Sequence, residues 1–335
     1  MMWRAIVSVA GAVMIARCAA AAASVHEIHY VMGTYYSIAI EHADGAAARA
    51  AARRCFVDAR HLEGLFSRYD PASELSRLNA STHDTVEVSE EMAALLRQTL
   101  RLREDTGGTF DVAVGRLTDL WRTTTAWPSD AEVTRALPRP APALRLAGRT
   151  LRRQPGVRID LDGIAKGWAV DRCVAELRRS GMRRALISFG ESSVYGMGAP
   201  EREHAWEVAL RDLGGSSVVG VVPLRDEGLS VSAVLGRERT IGGRQVGHII
   251  DPRTGSPLTA PAMVAVVAAS ATDAEAYSKA LLVEGRFPAP GNAWRAAPAV
   301  GAVFLSPGGV WSRGRPGFER YRHVRPIAAV QEPLR

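Results

Sequence analysis

Residues 158–171, near the middle of the chain, constrain the fold more than any other segment. Residues 159–162 alternate apolar and acidic side chains as a short strand would. The apolar residues of 164–177 then recur near helical spacing. The pattern predicts a strand that runs directly into a helix.

The ends of this predicted helix carry capping signals. Asp162 is placed to cap the N-terminus, Gly181 fits the position after the last turn, and Arg178 and Arg179 lie where the helix dipole favours cations. The junction then offers backbone N–H groups, Lys166 and several carboxylates in one place, which suits a phosphate and also a metal ion. An ordinary capped amphipathic helix is the alternative.

Composition limits the function classes. A chain of 335 residues with 47% hydrophobic content can bury the core of one large domain or of two intimately packed ones. The net charge of +7 comes from arginines spread along the chain, without a basic block, so nucleic-acid binding is not supported. Only Lys166 and Lys279 are lysines, against forty arginines.

The N-terminal residues 1–23 read as a secretory signal peptide, with Arg4 before an apolar run and an alanine-rich exit. Cys18 invites a lipoprotein reading, but Arg17 directly before it fits a lipidation signal poorly. The expectation is an exported, periplasmic protein that is peripheral to the membrane at most. Residues 24–325 would form the folded domain and 326–335 a C-terminal tail, with Cys55 and Cys173 as buried free thiols.

The remaining pattern predicts an α/β (α+β-like) fold, with mixed or antiparallel sheets and packed helices. Residues 127–155 read as a long irregular connection with room for a short helix. Predicted helices cover 46–66, 90–105 and 272–283, and predicted strands cover 185–189, 206–210, 218–223 and 264–269. Residues 29–40 read as a strand or a hairpin, and residues 302–312 as a closing hairpin.

Several common motifs are absent from the sequence. It contains no GxxxxGK[ST] loop, no HExxH and no GxSxG. The pair of glycines at 196 and 198 lacks the third glycine and the following helix of a dinucleotide fingerprint. These absences argue against the common nucleotide-binding and hydrolase architectures.

Six short motifs in order carry a resemblance. They are Met32-Gly33-Thr34, Ser67-Arg68-Tyr69-Asp70-Pro71 with residues 74–79, Phe110-Asp111-Val112-Ala113-Val114-Gly115, residues 159–171, residues 248–255 and Ala280-Leu281-Leu282-Val283. On these motifs the chain resembles the ApbE family, periplasmic flavin transferases that move FMN from FAD onto a threonine or serine of a target protein. The resemblance implies that FAD lies in a cleft between two lobes.

The resemblance also implies roles for individual residues. Tyr69 would stack on the isoalloxazine ring, and Met32, Thr109, Phe110, Asp111, Asp162, Trp168, Asp171 and Ile250 would line the FAD site. The Ala165 carbonyl would ligate Mg²⁺. Lys166 would neutralise phosphate charge, and His248 would be the base that removes one proton.

The last motif departs from the family pattern at two metal-ligand positions. Glu275 stands where the family has aspartate, and Lys279 stands where it has threonine. A frame shifted by two residues would use Asp273 and Tyr277 instead, but it matches the following apolar run less well. Three readings stay open: an ordinary helix ion pair, a lysine in place of the metal, or a metal moved towards Glu275 and Asp273.

Three functions follow from these alternatives. The leading one is an FAD:protein FMN transferase that acts on an acceptor protein and releases AMP. The second is a non-catalytic protein that binds FAD, and the third is a hydrolase of the FAD pyrophosphate.

Overall fold

The computed structural model describes residues 12–14, 24–138, 142–234, 236, 238–287, 301–313 and 322–323. Of the predicted signal peptide only Ala12–Met14 is described, as a short strand. The predicted tail at 326–335 lies outside the described residues. Among the helices that the structure describes, none has the length and apolarity needed to cross a membrane.

The described residues form helices and strands in alternating groups. The helices are α1 (Gly45–Phe66), α2 (Glu74–Ala80), α3 (Glu90–Asp105), α4 (Gly115–Thr123), α5 (Asp130–Ala136), α6 (Ala165–Arg179) and α7 (Ala271–Glu284). The strands are β1 (Ala12–Met14), β2 (Ser24–Val31), β3 (Thr34–Glu41), β4 (Thr85–Glu87), β5 (Leu144–Ala147), β6 (Thr150–Arg153), β7 (Ala185–Phe189), β8 (Ser193–Met197), β9 (Trp206–Arg211), β10 (Val218–Leu224), β11 (Glu227–Ala233), β12 (Arg239–Ile241), β13 (Arg244–Val246), β14 (Met263–Ala268), β15 (Gly301–Ser306), β16 (Gly309–Arg313) and β17 (Arg322–His323).

An eight-stranded antiparallel sheet forms the centre, in the order β16-β15-β14-β11-β8-β7-β3-β2. Helices α1, α6 and α7 pack on one face. The sheet β1-β9-β10-β17 lies across the other face, where Leu186 and Leu229 share a buried cluster with Val208. The predicted fold class of antiparallel sheets with packed helices is confirmed.

Burial along the strands follows from these layers. All five residues of β7 and all six of β14 are buried, because both faces of these strands are covered. Edge strand β2 instead has several exposed side chains between buried Val25 and Val31. Cys55 and Cys173 are buried free thiols, as predicted.

The segment 127–155 is more regular than the sequence suggested. Its short helix, α5, begins with a capping box between Ser129 and Glu132. After it, β5 and β6 form a hairpin, and β6 also pairs with β4. The prediction of an irregular connection was wrong here, because the many arginines masked the alternation of Leu144, Leu146 and Leu151.

The prediction of a strand at 159–161 was also wrong, since this segment lies outside every sheet that the structure describes. Ile159 and Leu161 are fully buried, which explains the alternating pattern. The Asn79 side chain takes the place of a neighbouring strand by bonding both the N–H and the C=O of Ile159 at 2.8 Å. The N–H of Asp160 donates to the carbonyl of Val112 at 2.8 Å, so two sequence motifs join here.

Candidate functional site at the start of helix α6

Helix α6 begins without a side-chain cap. Its N-cap residue is Ile164, and the predicted capping by Asp162 is wrong because that carboxylate accepts the hydroxyl hydrogen of Tyr69 at 2.8 Å. At the other end Gly181 has φ +80°, and the N–H of Met182 returns to the carbonyl of Leu177. The predicted helix end is therefore confirmed.

The side chain of Glu275, in α7, lies at the N-terminal end of α6. Its Oε2 accepts the N–H of Gly167 at 2.6 Å, and its Oε1 accepts from Lys166 Nζ at 3.1 Å and from Lys279 Nζ at 3.4 Å. The Lys279 ammonium also donates to the Glu275 carbonyl at 3.2 Å. We call Lys166, Lys279 and Glu275 the lysine cluster. Because the backbone N–H of Gly167 already donates to Glu275, it does not serve as a phosphate-binding donor.

The environment of the lysine cluster shifts the pKa of Glu275 and of Lys279. Burial opposes ionisation of Glu275, which is 1% exposed, but the two ammonium groups and the Gly167 N–H outweigh it and lower the Glu275 pKa to about 2. Desolvation lowers the pKa of Lys279 to about 8, with Glu275 opposing and Lys166 adding to the shift. At neutral pH the Glu275 carboxylate is therefore ionised and Lys279 is mainly protonated.

Helices α6 and α7 meet at very short range. A Cβ on Gly167 would lie 2.6 Å from the Ala271 carbonyl oxygen, so only glycine fits there. Asp171 accepts the N–H groups of Ala271 and Thr272 at 2.8 and 2.9 Å, and burial raises its pKa to about 6. These bonds give Asp171 a structural role at the start of α7, while its predicted contact with FAD stays a prediction.

The two frames considered for the last motif lie on different faces of α7. Asp273 accepts from Gln98 at 3.0 Å and pairs with Arg101, and the Tyr277 hydroxyl lies 3.4 Å from Asp105, so these residues face α3. Glu275 and Lys279 face α6 instead. The structure thus separates Asp273 from Glu275 and Lys279, while the use of either frame in a ligand site stays a prediction.

Tyr69 presents an aromatic surface beside the start of α6. The residue is 63% exposed, and its ring lies 4.7 Å from the guanidinium carbon of Arg122. Desolvation and the neighbouring Asp162 raise the pKa of Tyr69 to about 12, so the hydroxyl stays a donor. A flat aromatic ring held by one hydrogen bond is suited to stacking on a flavin.

Arg68 and Arg122 were missed in the sequence. The Arg68 side chain is 7% exposed and forms ion pairs with Asp160 and Asp119, and Arg158 pairs with Asp119 as well. The sequence did contain a signal for Arg68. The acidic residues at 160 and 162 need a positive partner, and Arg68 directly precedes Tyr69 in one of the motifs. Arg122 lies in no motif, and only the structure brings it to Tyr69.

Other predicted FAD contacts differ in how they are arranged. The Trp168 indole N–H is buried and has no hydrogen-bond partner among the described residues, which leaves a donor for a ligand. The side chains of Thr109 and Asp111 bond within their own loop and to Arg103, and Phe110 is buried. Met32 is half-buried in the β2–β3 turn, where its N–H donates to Glu63. The FAD contacts of these residues stay predictions.

The β7–β8 turn lies beside Lys166. A Cβ on Gly190 would be 3.0 Å from Thr34 Cγ2 and 3.5 Å from Lys166 Cδ. Glu191 follows with φ +58°, a left-handed conformation that costs a non-glycine residue roughly 1–2 kcal/mol. Glycine therefore occupies the position nearest the site, and the backbone strain falls on the next residue, Glu191.

His248 is exposed on the segment 247–258, which folds back on itself through an isolated bridge between Ile250 and Pro257. The Trp121 indole N–H donates to the Gly255 carbonyl at 2.7 Å and ties this segment to α4. These bonds hold the segment in place while the histidine side chain lies at the surface. The roles of His248 and Ile250 stay predictions.

The segment that contains this site matches a known family. Residues 32–304 match the ApbE family, which is well over half of the chain. The chain belongs to the ApbE family. The matched region begins in the β2–β3 turn and ends in β15. It therefore includes every residue of the site described above.

Individual ApbE relatives extend this result. An FAD:protein FMN transferase of Rhodobacter capsulatus is 34% identical over 79% of this chain, although the chain spans only 52% of that relative's length. An FAD:protein FMN transferase of Klebsiella pneumoniae (strain 342) is 26% identical over 76% of this chain and 77% of its own length. The solved structure of the flavin transferase ApbE from Vibrio cholerae matches with a TM-score of 0.77 and 25% identity, over 90% of this chain and all of that one.

The magnesium ion implied by the ApbE resemblance does not fit the residues present. Within the described part of the chain, no group of three or more His, Cys, Asp or Glu side chains is arranged to hold a metal. Protonated Lys279 has no lone pair for a metal. A cation about 4 Å from its ammonium would be repelled by roughly 4 kcal/mol per unit charge at an effective dielectric constant of about 20.

Proposed function

We propose that this protein transfers FMN from FAD to a threonine or serine hydroxyl of an acceptor protein and releases AMP. The start of α6 carries this proposal, because it brings the exposed Tyr69 ring, bound to Asp162, together with the ammonium groups of Lys166 and Lys279. The first feature suits a flavin and the second suits a pyrophosphate. Relatives that are named FAD:protein FMN transferase support the same reading.

The chemistry is a phosphoryl-type substitution. The acceptor hydroxyl oxygen forms a bond to the phosphorus on the FMN side, the bond from that phosphorus to the bridging oxygen breaks, and AMP leaves with this oxygen. The hydroxyl proton passes to His248 as general base. Lys166 and Lys279 reduce the cost of the negative charge that gathers on the phosphate oxygens. No step runs through magnesium, because its donors do not fit.

The flavin end requires orientation more than chemistry. Tyr69 supplies a stacking surface, and its bond to Asp162 fixes the ring relative to the start of α6. The buried Trp168 N–H, which has no partner in the described part of the chain, supplies a directional donor in the same first turns of the helix. Such positioning places the reacting phosphorus next to the acceptor hydroxyl.

A transfer assay tests the function. The protein is incubated with FAD at neutral pH, with and without an acceptor protein that a curated FAD:protein FMN transferase modifies, and that enzyme serves as the positive control. We expect a covalently bound flavin on the acceptor and an equal amount of AMP. Intact FAD throughout would indicate a binding protein, and FMN with AMP but an unmodified acceptor would indicate hydrolysis; either result overturns the proposal.

We also propose that the protein is exported and acts in the periplasm, peripheral to the membrane at most. The Arg4 start, the apolar run and the alanine-rich exit of residues 1–23 support this location. Cell fractionation with N-terminal sequencing is expected to find a chain that begins near Ser24 in the periplasmic fraction. A full-length chain in the cytoplasmic fraction would contradict it.

A further inference from the structure

The lysine cluster includes the two positions, 275 and 279, at which the resemblance implies metal ligands. We propose that the Lys279 ammonium, held by Glu275 opposite Lys166, supplies the positive charge that faces the pyrophosphate of FAD. FAD binding and FMN transfer then proceed without a divalent metal. The identity of the ligand rests on the proposed function, whereas the metal independence rests on the arrangement of this chain's own residues.

The position of Lys279 is the first argument. A Cβ on Gly163 would lie 3.2 Å from Lys279 Cε and 3.3 Å from Cδ, so the lysine stem runs against the turn that precedes Ala165. The Lys279 ammonium donates to the carboxylate and to the backbone carbonyl of Glu275, which fix its position. The Lys279 and Lys166 side chains are 21% and 22% exposed, so both are largely buried but still reach solvent.

The charge balance is the second argument. Among the described residues, Glu275 is the carboxylate that acts on Lys279, and it is shared with Lys166, on which the more distant Asp162 also acts. A largely desolvated positive charge without a matching carboxylate is costly unless an anion compensates it. The net single positive charge of the lysine cluster equals that of a divalent cation bound to one carboxylate. A pyrophosphate is an anion of the required kind.

The chemistry of the side chains is the third argument. An ammonium group has three donors, and Glu275 accepts from Lys279 at two of its atoms in the structure. A simple helix ion pair at i, i+4 would lie at the surface and would not need a second lysine from another helix. Glutamate in place of the shorter aspartate has the reach to take the Gly167 N–H and both lysines together.

The natural protein provides the first test. FAD affinity is measured at pH 7 by quenching of flavin fluorescence, once with EDTA and once with excess Mg²⁺, and Mn²⁺ binding is measured by electron paramagnetic resonance. We expect dissociation constants that agree within about twofold and no stoichiometric Mn²⁺ uptake, with or without FAD. A tenfold loss of affinity in EDTA, or one Mn²⁺ bound per chain, overturns the inference.

Two matched variants provide the second test. Lys279→Thr introduces an oxygen ligand, and Lys279→Met keeps the length but offers neither charge nor oxygen. In EDTA both are expected to bind FAD at least tenfold more weakly than the natural protein, and Mg²⁺ is expected to restore only Lys279→Thr. Circular dichroism melts confirm folding of each variant. Unchanged affinity of both variants in EDTA would overturn the inference.

The two proposals fail in different ways. Metal-independent FAD binding without any transfer to an acceptor contradicts the proposed function alone. Transfer that requires Mg²⁺ in the natural protein contradicts the metal independence alone.

Discussion

Replacing Glu275 with alanine is expected to lower the free energy of unfolding by about 3–5 kcal/mol. The substitution leaves the Lys166 and Lys279 ammonium groups facing each other without the carboxylate that both contact, and it removes the acceptor of the Gly167 N–H. Urea unfolding, followed by circular dichroism, measures the change. A loss below about 1 kcal/mol would show that the buried carboxylate contributes little to the fold.

Two further variants separate charge from hydrogen bonding at this position. Glu275→Gln keeps an oxygen for the Gly167 N–H but loses the charge, whereas Glu275→Ala with Lys279→Met removes one of the stranded ammonium groups. We expect the double variant to regain part of the stability that Glu275→Ala loses. No recovery would mean that lysine repulsion is not the cause of the loss.

The pH dependence of stability offers a control on the same residue. The pKa of Glu275 falls from 4.5 to about 2 in the folded chain, so its contribution is present above pH 4.5 and is lost as the pH falls through 2. The natural protein should therefore lose stability across this range. Glu275→Ala should lack that part of the acid transition.

Local pattern was sufficient for much of the fold. The periodicity of α1, α3 and α7 and the apolar runs of β7 and β14 depend on neighbours in the chain, and all of these elements were predicted nearly to their ends. Ile159 and Leu161 show the limit. Their burial produced a strand-like pattern, but the partner is a side chain from α2, and a sequence pattern carries no information about which group closes the hydrogen bonds.

The candidate site shows the same limit more sharply. The order of the motifs predicted that Tyr69, Lys166 and Glu275 belong to one site. The sequence left open which of two alignments of the α7 motif is correct. Only the packing of α7 between α3 and α6 shows that Asp273 faces one neighbour while Glu275 faces the other. The role of Lys279 likewise depends on the direction of its side chain, which the spacing of residues along a helix only partly determines.

The site and the fold are linked through the α6–α7 contact. Gly167 permits the close approach, Asp171 bonds the start of α7, and Glu275 reaches back to the start of α6. The charged groups that would meet a pyrophosphate therefore also connect the two helices. Substitutions here are expected to change stability and ligand affinity together, which is why the variants above require a folding control.

Replacing His248 with alanine is expected to lower kcat for FMN transfer by about 10²–10⁴-fold, while the dissociation constant for FAD stays within about twofold. The histidine is exposed on a segment that other bonds hold in place, so its loss should not unfold the chain. Rates at saturating FAD and acceptor measure the effect. His204→Ala, at another exposed histidine, is the matched control and should leave kcat unchanged. If His248 is the base, its variant should also lose the decline in kcat that imidazole protonation causes in acid. A full rate with an unaltered pH profile would assign the proton to another group.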